Sequence, residues 1–563
     1  MNLLKSKIRR SPWSAGAWNR FGSRFLNSPF PKNKSLSPSV PMPAKRRNRC
    51  QAQLINVSVT GHVCSSGNDY QSGSKHPHSK GSASTLDLLS LGSAAVNSNS
   101  VAKISLWSSR KLAVAVLLAF WVLAYHLVVD RAGAQDRVVA LVGGAVIDGT
   151  GKAPLASYTV LIRGERIAAV GAKVQIPKGA TVINVAGKTI IPGLVDMHGH
   201  MYARATPEMR SQFEAYPLLY LAGGVTTVRS PGDFEPEGMV ALRERIKRGE
   251  TIGPRIFTAG PYFDNDPSQV SWIKGVKTPE EALDQFNRWK DRIDYVKFYT
   301  RITEAEFRAV VEAARKAGIP TTGHLGSITA SRAIELGING LEHGIFAMSE
   351  LSRANTQGGN CALGDLDLNS PVIESLVASI VKNRVVIDPT VVVFQISPPI
   401  FEPVTPDWLK YLSAEAQAHQ TRLLSTAASG NPSAAECQRR ALQSQLRFIK
   451  KVHDRGGIVT TGTDPVSPRL IPGYGLHREI KNFVDAGLTP VEAIKAATLN
   501  AAIALRREKE MGTIQPGKLA DLVVIGGDPA TRIEDIGNTE MVFKSGVQYD
   551  PVALRKSAEG RVK

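Results

Sequence analysis

Two imidazoles one residue apart, His198 and His200, close an apolar run in Gly193-Leu194-Val195-Asp196-Met197-His198-Gly199-His200. In an extended strand, residues two apart point to the same side, so both rings face one point. Neutral imidazole is a ligand for zinc and related divalent ions. A lone histidine on a strand is usually structural, but a His-x-His pair at a strand end favours metal. Four further residues end later runs: Lys297 in Tyr295-Val296-Lys297-Phe298, His324 in Thr321-Thr322-Gly323-His324, His343 in Leu341-Glu342-His343-Gly344, and Asp464 in Thr461-Gly462-Thr463-Asp464. Each alone is explained as a satisfied buried polar group. Their joint placement at successive run ends is not. Tyr202, Arg204, Tyr299, Arg301 and His477 are candidate substrate contacts, the arginines suiting a carboxylate; surface or loop packing is the competing explanation for each.

The elements that must hold these residues alternate between strand and helix. Strand ends are expected at Val195–His198, Thr226–Arg229, Ile256–Ala259, Val296–Tyr299, Thr321–His324, Leu341–His343, Val385–Thr390 and Val459–Asp464. Helical stretches separate them; in Glu304–Ala317, Phe307, Val310, Val311 and Ala314 recur at helical spacing before Gly318 and Pro320. This is the pattern of an α/β fold, a (β/α)8 TIM barrel over residues 191–511, whose sites lie at the strands' C-terminal ends. Residues 135–190 carry short β-type runs with glycine turns, and residues 512–563 return to short strands before a tail. One small β-sandwich built from both ends of the body is expected. A long polar helical stretch runs from Pro406 to Lys450. Cys361 and Cys437, in insertions flanking the seventh strand, stand as a disulfide or as two free thiols; four cysteines are too few for a disulfide scaffold.

The formal net charge of +20 in 563 residues suggests a polyanionic partner. Residues 1–111, however, hold 17 of the 69 basic residues and only Asp69 and Asp87 as acids, so +15 of the charge lies there. The near-neutral body has no basic stripe, zinc finger or helix-turn-helix pattern, which excludes a nucleic-acid-binding reading. Residues 1–100, rich in Ser, Asn, Pro, Gly and Arg, are expected to be a disordered basic extension. Residues 112–129 (LAVAVLLAFWVLAYHLVV) form an apolar run of about 27 Å as a helix, preceded by Arg110-Lys111 and followed by Ala132-Gly133-Ala134. Residues 101–134 read as a secretory signal, with an uncleaved membrane anchor as the alternative. The protein is then exported, periplasmic or extracellular, or tethered to a membrane through 112–129 alone. A native start near Val101 is one explanation for the residues that precede the signal.

Several motifs in consistent order resemble the amidohydrolase superfamily of metal-dependent hydrolases, most of all its prolidase-like and imidazolonepropionase-like subgroup. They are Ile190-Ile191-Pro192-Gly193-Leu194-Val195-Asp196 before the histidine pair, Ala222-Gly223-Gly224-Val225-Thr226-Thr227-Val228, Gly487-Leu488-Thr489-Pro490 with Ala496-Ala497-Thr498, and Gly512-Thr513-Ile514 with Pro516-Gly517-Lys518-Leu519-Ala520-Asp521-Leu522. The resemblance covers about 137–550. It implies two divalent ions: His198, His200 and Asp464 on the more buried one, His324 and His343 on the more exposed one, and Lys297 bridging both as a carbamate made with carbon dioxide. Zinc is the implied metal, and manganese, cobalt or iron suits the same ligands. It further implies hydrolysis of an amide or peptide C–N bond in a small molecule, as by a prolidase-like dipeptidase. A metal-bound hydroxide would attack, with Asp464 as general base and acid. A mononuclear cyclic-amide hydrolase or deaminase is the alternative. Related deaminases carry Glu three residues after the strand-five histidine, where this chain has Ser327, and Lys297 favours the bridged pair. A non-catalytic scaffold would be expected to lack ligands, and none of the six is missing. A homo-oligomer is left open.

Overall fold

From Val138 onward, β-branched residues between glycine turns build β1 (Val138–Val146), β2 (Leu155–Arg163), β3 (Arg166–Gly171), β4 (Thr181–Asn184) and β5 (Thr189–Pro192). The computed structural model describes residues 137–353, 360–397, 399–400, 402–427 and 432–563. The expected extension 1–100 and the signal or anchor 101–134 lie outside the described residues. Among the described residues, no helix is long and apolar enough to cross a membrane.

The chain then enters a series of short parallel strands. They are β6 (Leu194–Asp196), a small antiparallel hairpin β7 (Tyr202–Ala203) and β8 (Arg210–Ser211), β9 (Val225–Ser230), β10 (Arg255–Thr258), β11 (Tyr262–Phe263), β12 (Val296–Phe298), β13 (Thr321–Gly323), β14 (Gly340–Glu342), β15 (Val386–Asp388) and β16 (Ile458–Val459). Two parallel runs result, β10-β9-β6 and β11-β12-β13-β14-β15-β16. Backbone bonds link them at both ends: Met197 N–H donates to Thr461 O at 3.0 Å, and Asp294 N–H to Thr258 O at 2.8 Å. The eight expected strands overlap β6, β9, β10 and β12–β16, but the last, expected to run to Asp464, stops at Val459, and the two-residue β11 is additional.

The helix Glu304–Ala317 shows why the connections hold. Thr303 and Glu306 form a reciprocal capping box, Phe307, Val310, Val311 and Ala314 are buried, and Gly318 ends the helix at φ 73°. The stretch expected to be helical from Pro406 is three pieces, a 3-10 turn at Trp408–Tyr411 and helices Ala414–Ala427 and Pro432–Asp454. Cys437 on the last of these forms a disulfide with Cys361, 76 residues earlier, on the short helix Asn360–Gly364.

Past these units come β17 (Leu522–Ile525), β18 (Thr539–Lys544) and β19 (Val547–Tyr549). β17 pairs antiparallel with β5, Leu522 opposite Pro192, so both ends of the body share one eight-stranded sheet in the order β19-β18-β17-β5-β1-β2-β3, with β4 beside β1. Val139, Leu141, Val160, Ile162, Ile190, Leu522, Val524 and Phe543 make its own core. Arg255 at the start of β10 pairs with Asp521 at 2.6 Å, tying this sheet to the parallel strands.

Candidate metal centre

The His-Gly-His turn is held by its neighbours. Asp196 accepts from His198 N–H at 3.0 Å and from the Thr463 backbone and hydroxyl at 3.1 and 2.6 Å, clamping the end of β6 to the segment that carries Asp464. Asp464 N–H donates to His198 O at 2.7 Å across the same seam. Between the histidines only glycine fits: a Cβ on Gly199 would lie 2.6 Å from Val228 Cγ1 and 2.8 Å from the Tyr220 hydroxyl.

The six residues converge on one cavity of about 250 Å³. His200 Nε2 lies 3.3 Å and His198 Nε2 3.9 Å from Asp464 Oδ1. Ring centroids of His198 and His343 are 4.7 Å apart, and those of His324 and His343 are 4.4 Å apart. Ligand atoms of His198, His343 and Asp464 lie within 4.8 Å of one another. Lys297 on β12 is 1% exposed, and its Nζ has no hydrogen-bond partner among the described residues. Burial dominates the electrostatics. Desolvation lowers the Lys297 amine to about 8, His198 to about 4 and His324 to about 3, and takes His343 well below its usual value. Burial alone would raise Asp464, but His198 and His200 outweigh it and hold the carboxyl far below the ordinary carboxylate range.

Behind the rings lies a second polar layer that sequence reasoning missed. His198 Nδ1 is 2.8 Å from Glu342 Oε2. Glu342 accepts from Arg229 at 2.8 and 2.9 Å and from the Thr322 hydroxyl, and Arg229 also reaches Asp388 at 3.1 Å. All of these side chains are buried. The available signal was charge within short strands, since Arg229, Glu342 and Asp388 stand in β9, β14 and β15. His343 Nδ1 is paired differently, with Thr390 Oγ1 at 2.7 Å. Three residues of this centre hold left-handed backbone, His343 at φ 61°, Thr390 at 45° and Asp464 at 57°; such geometry is costly away from glycine and concentrates at functional sites.

Of the expected substrate contacts, Tyr202, Arg204 and Tyr299 line the cavity. Arg301 and His477 do not. Arg301 is used by a neighbouring loop, its guanidinium donating to Pro267 O at 2.9 Å. His477 Nε2 pairs with Gly223 O at 2.7 Å beside a separate small void. A turn-rich segment that no sequence signal marked adds Tyr262, Val270, Trp272 and Ile273 to the wall. The Tyr202 and Tyr262 hydroxyls meet at 2.7 Å, and the Trp272 ring stands edge-on to both.

Parallel strands whose C-terminal ends bring imidazoles, a carboxylate and a buried amine into one cavity define a metal-binding enzyme of the barrel type. Residues 189–549 match the amidohydrolase family, and the chain belongs to that family, a class of hydrolases acting on C–N bonds with divalent metal. An imidazolonepropionase from Streptomyces griseus subsp. griseus is 26% identical over 423 residues, 67% of this chain and 88% of that enzyme. An adenine deaminase from Mesorhizobium japonicum is 37% identical over 95 residues, a span of only 16% of either protein. Among solved structures, a Xaa-Pro dipeptidase with methionine in its active site has a TM-score of 0.55 at 22% identity, covering 73% of this chain and all of that one. A bottromycin amidohydrolase has a TM-score of 0.60 at 19% identity, covering 76% and 92%. At these identities the structural likeness speaks for the fold.

Proposed function

We propose that the chain hydrolyses a C–N bond in a small amide, first a Xaa-Pro or related dipeptide and next a cyclic amide. His198, His200, Lys297, His324, His343 and Asp464 would hold two divalent ions, zinc foremost. The observation that carries this is the convergence of those six side chains on one cavity with the Lys297 amine buried and unpartnered. Four imidazoles, a carboxylate and an amine are a donor set for such ions. An amine at that position that has lost its proton can add to carbon dioxide: a C–N bond forms, a second proton leaves, and the resulting carbamate would supply anionic oxygen as a ligand.

When bound, the ions supply an acidified water and polarise the scissile carbonyl. Asp464, kept ionised beside His200, takes a proton at Oδ1 from the attacking water and passes it to the departing amine. Tyr202, Tyr262 and Trp272 wall the reacting bond from solvent and seat an apolar group. Arg204, exposed at the mouth, suits a substrate carboxylate.

The finer architecture belongs to the same proposal: a closed barrel over 191–511 and a β-sandwich from 135–190 and 512–563. The bonds across the β6–β16 seam and the shared sheet support it. Export through 101–134 is proposed as well, supported by the apolar run 112–129 and by a disulfide suited to an oxidising compartment.

Metal analysis of the purified chain, with a screen of dipeptides, N-acyl amino acids and cyclic amides, tests the reading. Two ions per chain and turnover of one class after zinc or manganese loading are expected. No metal and no hydrolysis would defeat it; one tight ion with Lys297→Ala still active would replace the paired centre by a single one.

A further inference from the structure

We propose that Glu342 is a positioning residue that orients His198 from behind and makes the ion held by His198 the tighter of the two; the inference rests on the metal reading above. A carboxylate paired with a guanidinium can only accept, so at 2.8 Å the His198 Nδ1 carries the hydrogen and donates to Glu342 Oε2. The lone pair of the ring is then on Nε2, the atom that faces Asp464 at 3.9 Å. Glu342 is itself fixed, with the Thr322 hydroxyl on Oε1 and Arg229 on both oxygens.

This cluster is not a second metal pocket, although His198, Glu342 and Asp388 lie close enough together to suggest one. The Arg229 guanidinium already sits between the two carboxylates, at 2.8 Å from Glu342 and 3.1 Å from Asp388. The chain supplies its own cation there, and that cation keeps a fully buried Glu342 compensated. The guanidinium is further pinned by its Nε–H bond to Met197 O at 2.5 Å, on the residue before His198. Backbone and ring of His198 are therefore held by one connected unit.

The other rings differ. His343 Nδ1 meets the neutral hydroxyl of Thr390 at 2.7 Å, and His200 Nδ1 is buried with no partner among the described residues. Of these three rings, only His198 has an anion behind it. A carboxylate on the far nitrogen fixes the tautomer and raises the donor strength of the imidazole, and loss of such a partner commonly costs 10–100-fold in metal affinity. The ion at His198, His200 and Asp464 is accordingly bound more tightly than the ion at His324 and His343.

Competition between the zinc-loaded protein and a chromogenic chelator tests this without an activity assay. Wild type is expected to release its ions in two steps. Glu342→Gln, of the same size, is expected to weaken the tighter step 10–100-fold and leave the weaker step within twofold, with its fold checked by denaturant unfolding. If that variant does not fold, Thr322→Val, which removes one bond to Glu342, is expected to weaken the same step several-fold. Simultaneous release of both ions from wild type, or a folded Glu342→Gln with an unchanged tighter step, would overturn the inference while leaving the metal reading intact. A wild type that binds no ion would sink the metal reading itself.

Discussion

Gly199→Ala adds one methyl group between the two histidines of the centre, and its cost follows from what the new atom meets. Carbon atoms in ordinary contact sit about 3.5–4.0 Å apart, but this Cβ would be 2.6 Å from Val228 Cγ1 and 2.8 Å from the Tyr220 hydroxyl. Roughly 1 Å of movement is required, and both obstacles are buried. Overpacking of this kind costs about 1–3 kcal/mol. Restricting the unfolded chain returns about 0.4–1 kcal/mol, so a net loss of about 1–2 kcal/mol is expected. Val228→Ala alone removes buried methyl groups and costs about 2 kcal/mol. In the double variant the smaller side chain at position 228 vacates the space that the added methyl group needs, so the two losses sum to less than additivity by about 1 kcal/mol. Denaturant unfolding of the metal-free wild type, both single variants and the double variant completes the cycle. Losses that add within about 0.5 kcal/mol would refute the steric account of this glycine. Displacement of the histidines also predicts lower retention of any bound divalent ion in Gly199→Ala, partly restored in the double variant.

Three other outcomes are expected. Reducing the Cys361–Cys437 disulfide, or replacing Cys437 by Ser, should lower stability by about 2–4 kcal/mol, because the bond closes a long loop; identical unfolding curves with and without reductant would contradict this. Burial raises Asp233 to about 7, above the usual value near 4. The folded chain then holds a proton that the unfolded chain has lost, so this group makes stability fall as pH rises from about 4 to about 7. Asp233→Asn, which still pairs with the Ser230 and Thr258 hydroxyls, should flatten that slope by up to about 1.4 kcal/mol per pH unit, and an unchanged slope would exclude Asp233 as its source. Arg204→Ala should raise KM about tenfold for substrates bearing a carboxylate with little change in kcat, one charge-assisted hydrogen bond being worth about 1.5–3 kcal/mol; equal effects on substrates without a carboxylate would remove that role.

What could be read from the sequence was what repeats or stands at an element's end. Short β-runs between helical stretches located eight of the parallel strands but not β11, and the last of them ends at Val459 and not at Asp464. His198, His200, Lys297, His324, His343 and Asp464 were visible because a strand's last residues face the mouth of the assembly. Leu522–Ile525 was recognised as a strand that joins the sheet of the first segment, and the structure pairs it with β5. Contacts that depend on tertiary placement were not visible. Glu342 precedes His343 in sequence yet serves His198, 144 positions away, and nothing local links them. Tyr262 reaches the cavity from the unexpected two-residue strand β11, and Trp272 from the loop after it, whose course is set by turns such as the Ser268 hydroxyl on Asp264. Arg301 and His477 were expected at the substrate because of side-chain type alone, and backbone carbonyls distant in sequence, Pro267 O and Gly223 O, claimed them.

The left-handed backbone at His343, Thr390 and Asp464 has a consequence for any attempt to breed a hardier form of this protein. Each position holds a conformation that a glycine would adopt at lower cost, by about 1 kcal/mol or more. A selection that rewards heat tolerance alone would therefore favour glycine at the sites that carry a ring, its hydroxyl partner and the carboxylate beside His200. Survivors would be sturdier and inert, so a thermal screen on this scaffold needs a turnover filter at every round.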